Sequence, residues 1–315
     1  MKFNILFVDS AHPILHLELD KLGCQCDLKY DLTKEEIVNC IQEYEGVVIR
    51  SKIKLTREII DKAAKLKFIA RVGAGMENID VAYAEAKGIK CLHAPEGNRD
   101  AVAEHTIGML LALFNNICRA NNEVRNRVWK REANRGIELA GKTVGIIGYG
   151  NMGSAFAERL KSFKVKVLAY DKYKKHFSDG FVVETTPEKI FEESDILSLH
   201  LPLTNETLYM VNDEFINKFK RNFYLINTAR GRIVKTDDLV KNMKKGKIPG
   251  ACLDVIEYED TSFNEINSPG NSQDASFNYL AQSEQVILTP HIAGWTYESN
   301  EKMARILLEK IRKLL

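Results

Sequence analysis

A glycine-rich turn in the middle of the chain has the spacing of a phosphate-binding loop. The apolar run Thr143–Ile147 leads directly into Gly148-Tyr149-Gly150-Asn151-Met152-Gly153, at the start of a predicted helix. In such a G-x-G-x-x-G sequence, Gly148 permits a tight turn, Gly150 lets the backbone approach a pyrophosphate, and Gly153 lets the helix pack on the sheet. The helix then offers N–H groups and a partial positive charge to the phosphates. The pattern predicts a dinucleotide site, and a purely structural turn is the alternative.

An acidic residue follows at the distance that such a site requires. Asp171 ends the next predicted strand, about 20 residues after Gly148. A carboxylate at this place accepts hydrogen bonds from the adenosine ribose hydroxyls and repels a 2′-phosphate. The sequence therefore favours NAD over NADP, although Lys172, Lys174 and Lys175 beside the carboxylate weaken that preference.

Four residues that can act on a substrate follow three later apolar runs. Arg230 comes after one run, Asp254 and Glu259 after another, and His291 after the last. Ligands bind at the carboxyl ends of strands in parallel sheets, so these side chains can converge beside the nicotinamide. Arginine binds a carboxylate bidentately, histidine exchanges a proton near neutral pH, and a carboxylate stabilises the imidazolium. The set fits hydride transfer from the nicotinamide to a 2-oxo acid.

Each of these residues also has a purely structural interpretation. Arg230 can begin a surface helix, and His291 beside a proline can be a core or cap histidine whose hydrogen bonds are satisfied. Glu257 competes with Glu259 for the carboxylate role. The combination, and not any single residue, favours catalysis.

The composition indicates a globular protein of about two domains. The chain has 315 residues and a mass of 35.8 kDa, with 45% apolar and 28% charged residues. A domain averages roughly 150 residues. The net charge of +2 gives no basic field for nucleic acid or an anionic membrane. The longest apolar stretch, Ile107–Phe114, is too short to span a membrane, and the N-terminus lacks the features of a signal peptide.

The six cysteines are scattered, and only Cys24 and Cys26 are close in the sequence. Neither a second pair nor a histidine cluster completes a metal site, so we expect no metal. A chain of this length without a signal peptide does not need disulfides. We therefore expect reduced thiols in a cytoplasmic protein.

Short apolar runs alternate with amphipathic stretches, which predicts an α/β fold with helices on both faces of parallel sheets. Strands are predicted at Phe3–Val8, Val47–Arg50, Phe68–Val72, Lys90–His93, Thr143–Ile147, Val165–Tyr170, Ile196–His200, Phe223–Asn227, Gly250–Val255 and Val286–Leu288. Helices are predicted at Lys34–Glu43, Arg57–Ala64, Val81–Lys87, Met152–Phe163, Asp213–Lys218, Asp237–Lys244 and Tyr297–Leu315.

A break at Ala94–Asn98 separates two series of strands and helices. The predicted helix that follows, Ala101–Arg119, is apolar on nearly all sides and should lie in a core or an interface. Asn98 or Asp100 can cap this helix. The stretch Asp260–Ser276, rich in Ser, Asn and Gly, is predicted to be a long surface loop.

Seven segments resemble, in the same order, motifs of the D-2-hydroxyacid dehydrogenase family. They are VGAGMENID (Val72–Asp80), APEGNRDAVAEHTIGMLLAL (Ala94–Leu113), GKTVGIIGYGNMG (Gly141–Gly153), LHLPLTNET (Leu199–Thr207), INTARG (Ile226–Gly231), LDVIEYE (Leu253–Glu259) and TPHIAG (Thr289–Gly294). The resemblance implies two Rossmann-like, doubly wound parallel-sheet domains with the cofactor in the cleft between them. It implies a substrate domain of residues 1–96 and 290–315, an NAD-binding domain of residues 97–289, and a homodimer formed through helix 101–119.

The resemblance also implies the roles of individual residues. Arg230, Glu259 and His291 match the catalytic set, which favours Glu259 over Glu257, although Asp260 stands where many members have proline. Cofactor contacts are implied for Gly148, Tyr149, Gly150, Asn151, Met152, Asp171, His200, Pro202, Thr207, Thr228, Ala229, Asp254 and Gly294. Substrate contacts are implied for Arg50, Ser51, Lys52, Arg71, Gly73, Ala74, Gly75 and Asn98. The Gly73–Gly75 turn can bind the carboxylate through its N–H groups, with a structural turn as the alternative.

Two substrate classes fit the basic residues of the first domain. Arg50, Lys52 and Arg71 are similar to residues of phosphoglycerate dehydrogenases and favour D-3-phosphoglycerate, oxidised to 3-phosphohydroxypyruvate in serine biosynthesis. If Arg50 only helps to bind any 2-hydroxy acid, the chain is a reductase of glyoxylate, hydroxypyruvate or another 2-oxo acid. A remote alternative from another class is an NAD-sensing binding protein, like the corepressors that share this fold.

Overall fold

The computed structural model describes residues 3–259 and 272–315, and the chain divides into two compact units. The first unit contains residues 3–99 and 295–315, and the second contains residues 100–259 and 272–294. Each unit is an α/β structure built on one parallel sheet, as predicted.

The strands and helices follow one another along the chain as predicted for alternating segments. The strands are β1 (Asn4–Phe7), β2 (Gln25–Leu28), β3 (Gly46–Ile49), β4 (Phe68–Arg71), β5 (Lys90–His93), β6 (Thr143–Ile147), β7 (Lys166–Tyr170), β8 (Val182–Glu184), β9 (Ile196–Leu199), β10 (Tyr224–Asn227), β11 (Ala251–Leu253) and β12 (Val286–Leu288). The helices are α1 (Ile14–Lys21), α2 (Lys34–Cys40), α3 (Arg57–Lys62), α4 (Val81–Ala86), α5 (Pro95–Phe114), α6 (Ile117–Arg125), α7 (Asn151–Leu160), α8 (Pro187–Glu193), α9 (Asp213–Asn217), α10 (Thr236–Lys244), α11 (Ser272–Gln282) and α12 (Tyr297–Arg312).

The first unit has a five-stranded sheet in the order β2-β1-β3-β4-β5. β3 and β4 are buried along their whole length, as expected for strands covered by helices on both faces. The last helix, α12, joins this unit and buries Leu307 and Ile311 in the same core as Leu15 and Leu19 of α1. A capping box begins α12 at Thr296, so the end of the chain is firmly placed on the first sheet.

The second unit has a seven-stranded sheet in the order β12-β11-β10-β9-β6-β7-β8. β6 lies between β7 and β9, so the chain builds the sheet outward from β6 in both directions. In open parallel sheets, ligands bind at the carboxyl edge beside the strand where this direction reverses. Phe156 and Leu160 of α7 are completely buried in the core under β6, which fixes the helix directly behind the Gly148–Gly153 turn.

The long helix after β5 differs from the prediction in both of its ends. α5 begins at Pro95, whose fixed φ suits the first turn of a helix, so Asn98 and Asp100 lie within the helix and do not cap it. The helix ends at Phe114, because Asn116 adopts a left-handed φ of 52° before α6 begins. The predicted single helix 101–119 is therefore parts of two helices.

The sequence patterns missed α1, β2, β8 and α8, which are short and carry weak apolar periodicity. The predicted loop Asp260–Ser276 is wrong for residues 272–276, which belong to α11. The rest of that prediction, residues 260–271, lies outside the described residues.

No single helix in the described part of the chain is long and apolar enough to cross a membrane. α5 and α6 reach that length and composition only as a pair, and they are bent by 61°. All six cysteines are free thiols. Within residues 3–259 and 272–315, no group of three or more His, Cys, Asp and Glu side chains is arranged to hold a metal ion.

Candidate active site

The predicted cofactor and catalytic residues of the second unit follow the carboxyl ends of neighbouring strands. The Gly148–Gly153 turn follows β6, and Asp171 follows β7 on one side of it. On the other side of the sheet, Arg230 follows β10, Glu259 lies beyond β11, and His291 lies beyond β12. One edge of one sheet therefore carries both sets of residues.

The Gly148–Gly153 turn is shaped to receive a phosphate group. A Cβ on Gly148, which has a φ of +93°, would lie 2.2 Å from the carbonyl oxygen of His200, and a Cβ on Gly153 would lie 2.0 Å from the carbonyl oxygen of Gly148. A Cβ on Gly150 would meet nothing within 4 Å. Gly150 also begins α7 without a side-chain cap, so the N–H groups of the first helical turn have no capping partner. The turn thus fits the pyrophosphate of NAD.

Asp171 is held by the backbone around it. Its Oδ2 accepts the N–H of Tyr149 at 2.7 Å, and its Oδ1 accepts the N–H groups of Tyr173 and Lys174 at 2.9 and 2.8 Å. Partial burial acts to raise the pKa of Asp171, but these N–H bonds outweigh it and hold the pKa below its usual range. The carboxylate is therefore ionised and fixed beside the glycine turn, as a ribose-binding residue must be.

The segment after β9 carries His200, Pro202 and Thr207. Thr207 Oγ1 donates to the carbonyl oxygen of Pro202 at 2.7 Å and closes a tight loop. His200 Nε2 lies 2.9 Å from Ser198 Oγ, and its buried Nδ1 has no partner among the described residues. Burial lowers the pKa of His200 to about 3, so its ring is neutral at physiological pH. This histidine contributes shape, and not charge, to the cofactor edge.

Asn227, at the end of β10, holds the segment that carries Arg230. Its Oδ1 accepts the N–H of Ala229 at 3.1 Å, and its Nδ2 donates to the carbonyl oxygen of Arg230 at 2.9 Å. Arg230 Nη1 in turn donates to the carbonyl oxygen of Ala229 at 2.6 Å. Thr228 is buried, and its hydroxyl lies 3.2 Å from that of Thr106 on α5. No sequence pattern predicted that Asn227 would order this turn.

The turns after β10 and β11 are packed directly against each other. A Cβ on Gly231 would lie 1.8 Å from the carbonyl oxygen of Ile256, so only glycine permits this approach. Arg230 precedes that contact and Glu259 follows it by three residues. The two predicted catalytic segments are therefore placed relative to each other by backbone contact.

His291 and Glu259 are hydrogen-bonded. Nδ1 of His291 lies 2.8 Å from Oε2 of Glu259, and both side chains are mostly buried. Glu257, the competing candidate, instead accepts the backbone N–H of Thr236 at 3.0 Å at the start of α10. His291 has a left-handed φ of 55°, which is uncommon for a residue with a side chain. The geometry brings Glu259, and not Glu257, to the imidazole.

Asp254 ties together the loop that carries His291. Its Oδ1 accepts the hydroxyl of Thr289 at 2.6 Å and the N–H of Ile292 at 2.9 Å, and its Oδ2 accepts the N–H of Ala293 at 2.9 Å. His105 of α5 also approaches, with Nε2 3.5 Å from Asp254 Oδ1 and 3.0 Å from Thr289 Oγ1. These bonds show that Asp254 positions the loop, and its contact with the nicotinamide stays a prediction. His105 was missed, although a histidine in an otherwise apolar helix was a signal.

In the first unit, the Gly73–Gly75 turn follows β4 and lies against a buried arginine. Arg71 is 8% exposed, and a Cβ on Gly73 would lie 1.7 Å from its Nη1. Arg71 Nε also donates to the carbonyl oxygen of Arg50 at 3.2 Å. A guanidinium thus lies directly beside the turn that was predicted to bind a carboxylate, where its charge favours an anion.

Asp9 organises the turn after β3. Its Oδ2 accepts the N–H groups of Arg50, Ser51 and Lys52 at 2.5, 3.1 and 3.2 Å. The Arg50 guanidinium stacks on the indole ring of Trp295, 4.2 Å from the ring centre. Burial lowers the pKa of Arg50, and Asp9 acts in the opposite direction. Of the three residues in this turn, only Arg50 presents its charge on an aromatic platform.

Lys52 and Asn98 have different surroundings from those a phosphate-binding role would suggest. The Lys52 ammonium donates to the carbonyl oxygen of Tyr30. Asn98 lies in the first turn of α5, and its Oδ1 is buried with no hydrogen-bond partner in the described ranges. An unsatisfied buried oxygen is available for a donor from a ligand.

Comparison with known proteins agrees with this geometry. Residues 107–293 match the family model described as D-isomer specific 2-hydroxyacid dehydrogenase, NAD binding domain. The chain is 38% identical over 284 residues to a hydroxypyruvate reductase of Thermotoga maritima, covering 90% of this chain and 89% of that protein. It is 35% identical over 315 residues to a D-3-phosphoglycerate dehydrogenase of Methanocaldococcus jannaschii, covering 99% of this chain but only 57% of that protein.

The fold is also that of a solved enzyme structure. The D-lactate dehydrogenase of Aquifex aeolicus, complexed with NAD and lactic acid, superposes with a TM-score of 0.83 and 31% identity, over 99% of this chain and 95% of that one. The family model, the relatives and the shared fold all agree with the glycine turn and the acidic residue beside it. The chain therefore belongs to the D-isomer specific 2-hydroxyacid dehydrogenase family and is an NAD-dependent oxidoreductase.

Proposed function

We propose that the protein interconverts a D-2-hydroxy acid and the corresponding 2-oxo acid, with His291 as the residue that exchanges the proton. The hydrogen bond between His291 Nδ1 and Glu259 carries this proposal, because a carboxylate on the imidazole orients the ring and favours its protonated form. NAD, when bound, supplies the hydride acceptor. In oxidation, His291 takes the hydroxyl proton and Glu259 stabilises the imidazolium that results. Arg230 binds the carboxylate and stabilises the developing oxyanion.

The role of His291 is tested by separating catalysis from cofactor binding. His291→Ala should lower kcat by about 100-fold or more, which is a typical contribution of a general base. Its affinity for NADH, measured by fluorescence titration, should stay close to that of the unaltered protein. Full activity in this variant would overturn the assignment.

For the substrate, we propose D-3-phosphoglycerate. Two guanidinium groups support this proposal: Arg71 lies against the Gly73–Gly75 turn, and Arg50 is held on Trp295 in the same unit. Arg230 already serves the carboxylate, so these further guanidinium groups favour a substrate with a second anion. Lys52, whose ammonium is bonded to the Tyr30 carbonyl, is removed from the proposed phosphate contacts.

A reductase of hydroxypyruvate or glyoxylate is the second candidate. Arg71 is almost completely buried and donates to a backbone carbonyl, so it can act purely as a brace for the turn. Arg50 would then only help to bind any 2-hydroxy acid, whether or not it carries a phosphate. The higher identity to the hydroxypyruvate reductase of Thermotoga maritima, 38% against 35% for the phosphoglycerate dehydrogenase, supports this candidate.

A substrate panel with matched variants separates the two candidates. NADH formation would be followed with D-3-phosphoglycerate, D-glycerate and D-lactate, for the unaltered protein, Arg50→Met and Lys52→Met. If the phosphate is recognised, only D-3-phosphoglycerate turns over efficiently, Arg50→Met reduces kcat/KM more than about tenfold, and Lys52→Met has little effect. Turnover of the unphosphorylated acids alone would replace the substrate and keep the reaction.

Homodimer formation through residues 101–119 and a cytoplasmic location stay predictions. Light scattering at micromolar concentration tests the first, and a monomer would contradict it.

A further inference from the structure

Three lysines surround the acidic residue that marks the ribose end of the cofactor site. Lys172, Lys174 and Lys175 follow Asp171 directly in the sequence. A 2′-phosphate needs cationic partners, so this cluster has the composition of an NADP site built next to a carboxylate that favours NAD. The choice between the two cofactors depends on where the ammonium groups point.

The first ammonium is held by a second carboxylate. Lys172 Nζ lies 2.7 Å from Oε2 of Glu206, which belongs to the loop after β9. The hydroxyl of Tyr173 donates to the same oxygen at 3.2 Å. Glu206 therefore engages the two residues that follow Asp171, and both bonds span from the β7 turn to the β9 loop.

The other two ammonium groups are held by backbone and aromatic groups. Lys174 Nζ lies 5.1 Å from the ring centre of Tyr149 and 3.4 Å from its carbonyl oxygen. Phe177 stacks on this ring, with 4.3 Å between ring centres, and its own ring centre lies 5.9 Å from Lys174 Nζ. Lys175 Nζ donates to the carbonyl oxygen of Asp171 at 2.9 Å. Each of the three lysines thus has an acceptor within its own unit.

We propose that Glu206 is a specificity-determining residue for NAD over NADP, acting through Lys172. Glu206 pairs with Lys172, the lysine of the three whose partner is a charged side chain, so the charge of Lys172 is not available to a phosphate. Glu206 also adds a second negative charge, besides that of Asp171, to the ribose end of the site. A 2′-phosphate is then repelled by Asp171 and finds Lys172 neutralised. NAD carries hydroxyls and no phosphate on this ribose, so neither effect lowers its affinity.

The size of the expected change in cofactor affinity follows from the exposure of the two paired side chains. The side chains of Lys172 and Glu206 are 54% and 58% exposed, so their pairing is screened by solvent and salt. Glu206→Gln should therefore raise the affinity for NADPH relative to NADH by about fivefold at low salt, which is the upper range for an exposed pair. The gain should shrink as ionic strength rises, because the interaction with the phosphate is screened in the same way.

The test measures binding and does not depend on turnover. Dissociation constants for NADH and NADPH would be determined by calorimetry for the unaltered protein, Glu206→Gln, Lys172→Met and the double variant. AMP and adenosine 2′,5′-bisphosphate serve as probes of the ribose end alone. Glu192→Gln is the matched control, because Glu192 forms an equally exposed pair with Lys220 elsewhere in the second unit.

The expected result is a gain in relative NADPH affinity for Glu206→Gln that disappears when Lys172 is also replaced. Glu192→Gln should leave the ratio unchanged. An unchanged ratio in Glu206→Gln would overturn the proposal, and so would a gain that persists without Lys172. Circular dichroism of each variant shows whether it folds. Lys172→Met keeps Glu206 and gives an independent test of the pairing, because it should leave the preference for NADH over NADPH intact or stronger.

Discussion

The imidazole of His291 and the carboxylate of Glu259 meet at 2.8 Å, from loops that follow two adjacent strands of one sheet. Glu257 lies only two residues earlier and is used differently, as the acceptor for the backbone N–H of Thr236. Two glutamates that look equivalent in the sequence thus have different contacts: Glu259 binds the imidazole, and Glu257 binds the start of α10.

Exchange of each glutamate for glutamine should separate these duties. Glu259→Gln removes the charge that stabilises the imidazolium, so kcat should fall by about 10- to 100-fold with little change in melting temperature. Glu257→Gln weakens the bond at the start of α10 and should cost up to about 1 kcal/mol of stability while kcat stays within about twofold. Steady-state kinetics and thermal unfolding of the pair check this, and equal kinetic losses would contradict it.

Replacement of Asp254 should affect both stability and turnover, because its carboxylate holds the loop that carries His291. Asp254→Asn replaces an acceptor oxygen by a donor that faces the N–H of Ala293 or of Ile292, so the loop loses bonds and gains a repulsive contact. We expect a loss of about 2–3 kcal/mol in stability and a lower kcat, because the loop places His291. Thr289→Val removes the hydroxyl that contacts Asp254 and His105 but leaves both backbone N–H bonds to Asp254, so it should have a smaller effect on both. A larger effect from Thr289→Val would show that Asp254 does not organise the loop.

The buried ring of His200 makes stability depend on pH. Its pKa of about 3 in the folded protein lies below the unfolded value of roughly 6.5, so between these values only the unfolded chain binds the proton. This contribution to stability is present above pH ~6.5 and is lost as pH falls toward 3, amounting to about 2 kcal/mol at pH ~5.

His200→Gln should therefore lose less stability than the unaltered protein between about pH 7.5 and pH 5, as measured by urea unfolding. His176→Gln, at an exposed position, is the control and should follow the unaltered protein. A pH dependence that is the same in all three proteins would mean that His200 does not stay neutral in the folded state.

Gly231→Ala tests the contact between the turns after β10 and β11. The added methyl group would lie 1.8 Å from the Ile256 carbonyl oxygen, so the backbone must move. We expect a loss of about 2–4 kcal/mol in stability and reduced kcat, because Arg230 and Glu259 lie on the segments that shift. Gly180→Ala, where a Cβ would meet nothing within 4 Å, should change neither. Normal turnover in Gly231→Ala would show that the close approach is not needed.

Much of the fold could be predicted from the sequence, because the local apolar patterns agree with the strands and helices of the structure. β5, β6 and β12 have the limits that their apolar runs predict, and β6, in the middle of its sheet, is buried along its whole length and therefore leaves a continuous apolar run. β2 was missed because Gln25 and Asp27 alternate with its apolar residues and leave no such run. β8 was missed as well, although it is no shorter than β12 and both are edge strands. The end of α5 was missed because Ile117 and Cys118 continue the apolar run past Asn116, and only the left-handed backbone there reveals the break.

Residues of the candidate site could be predicted from the sequence where a residue type at a given spacing serves a single chemical role. The glycine turn and Asp171 could be found because backbone approach and ribose binding require those residues at that spacing. The separation of Glu257 from Glu259 could not be made from residues alone, because it depends on which one reaches a histidine far along the chain. Lys52 shows the same limit: residue type gives its charge, but not the Tyr30 carbonyl that binds it.

The left-handed backbone of His291 has a consequence for selection at this position. Glycine or asparagine adopts a φ near 55° at lower cost, and the difference for a histidine is of the order of 1 kcal/mol. A selection for heat resistance alone should therefore replace His291, and one for turnover should retain it. A histidine at this position thus has a cost in backbone energy that the proposed proton exchange would account for.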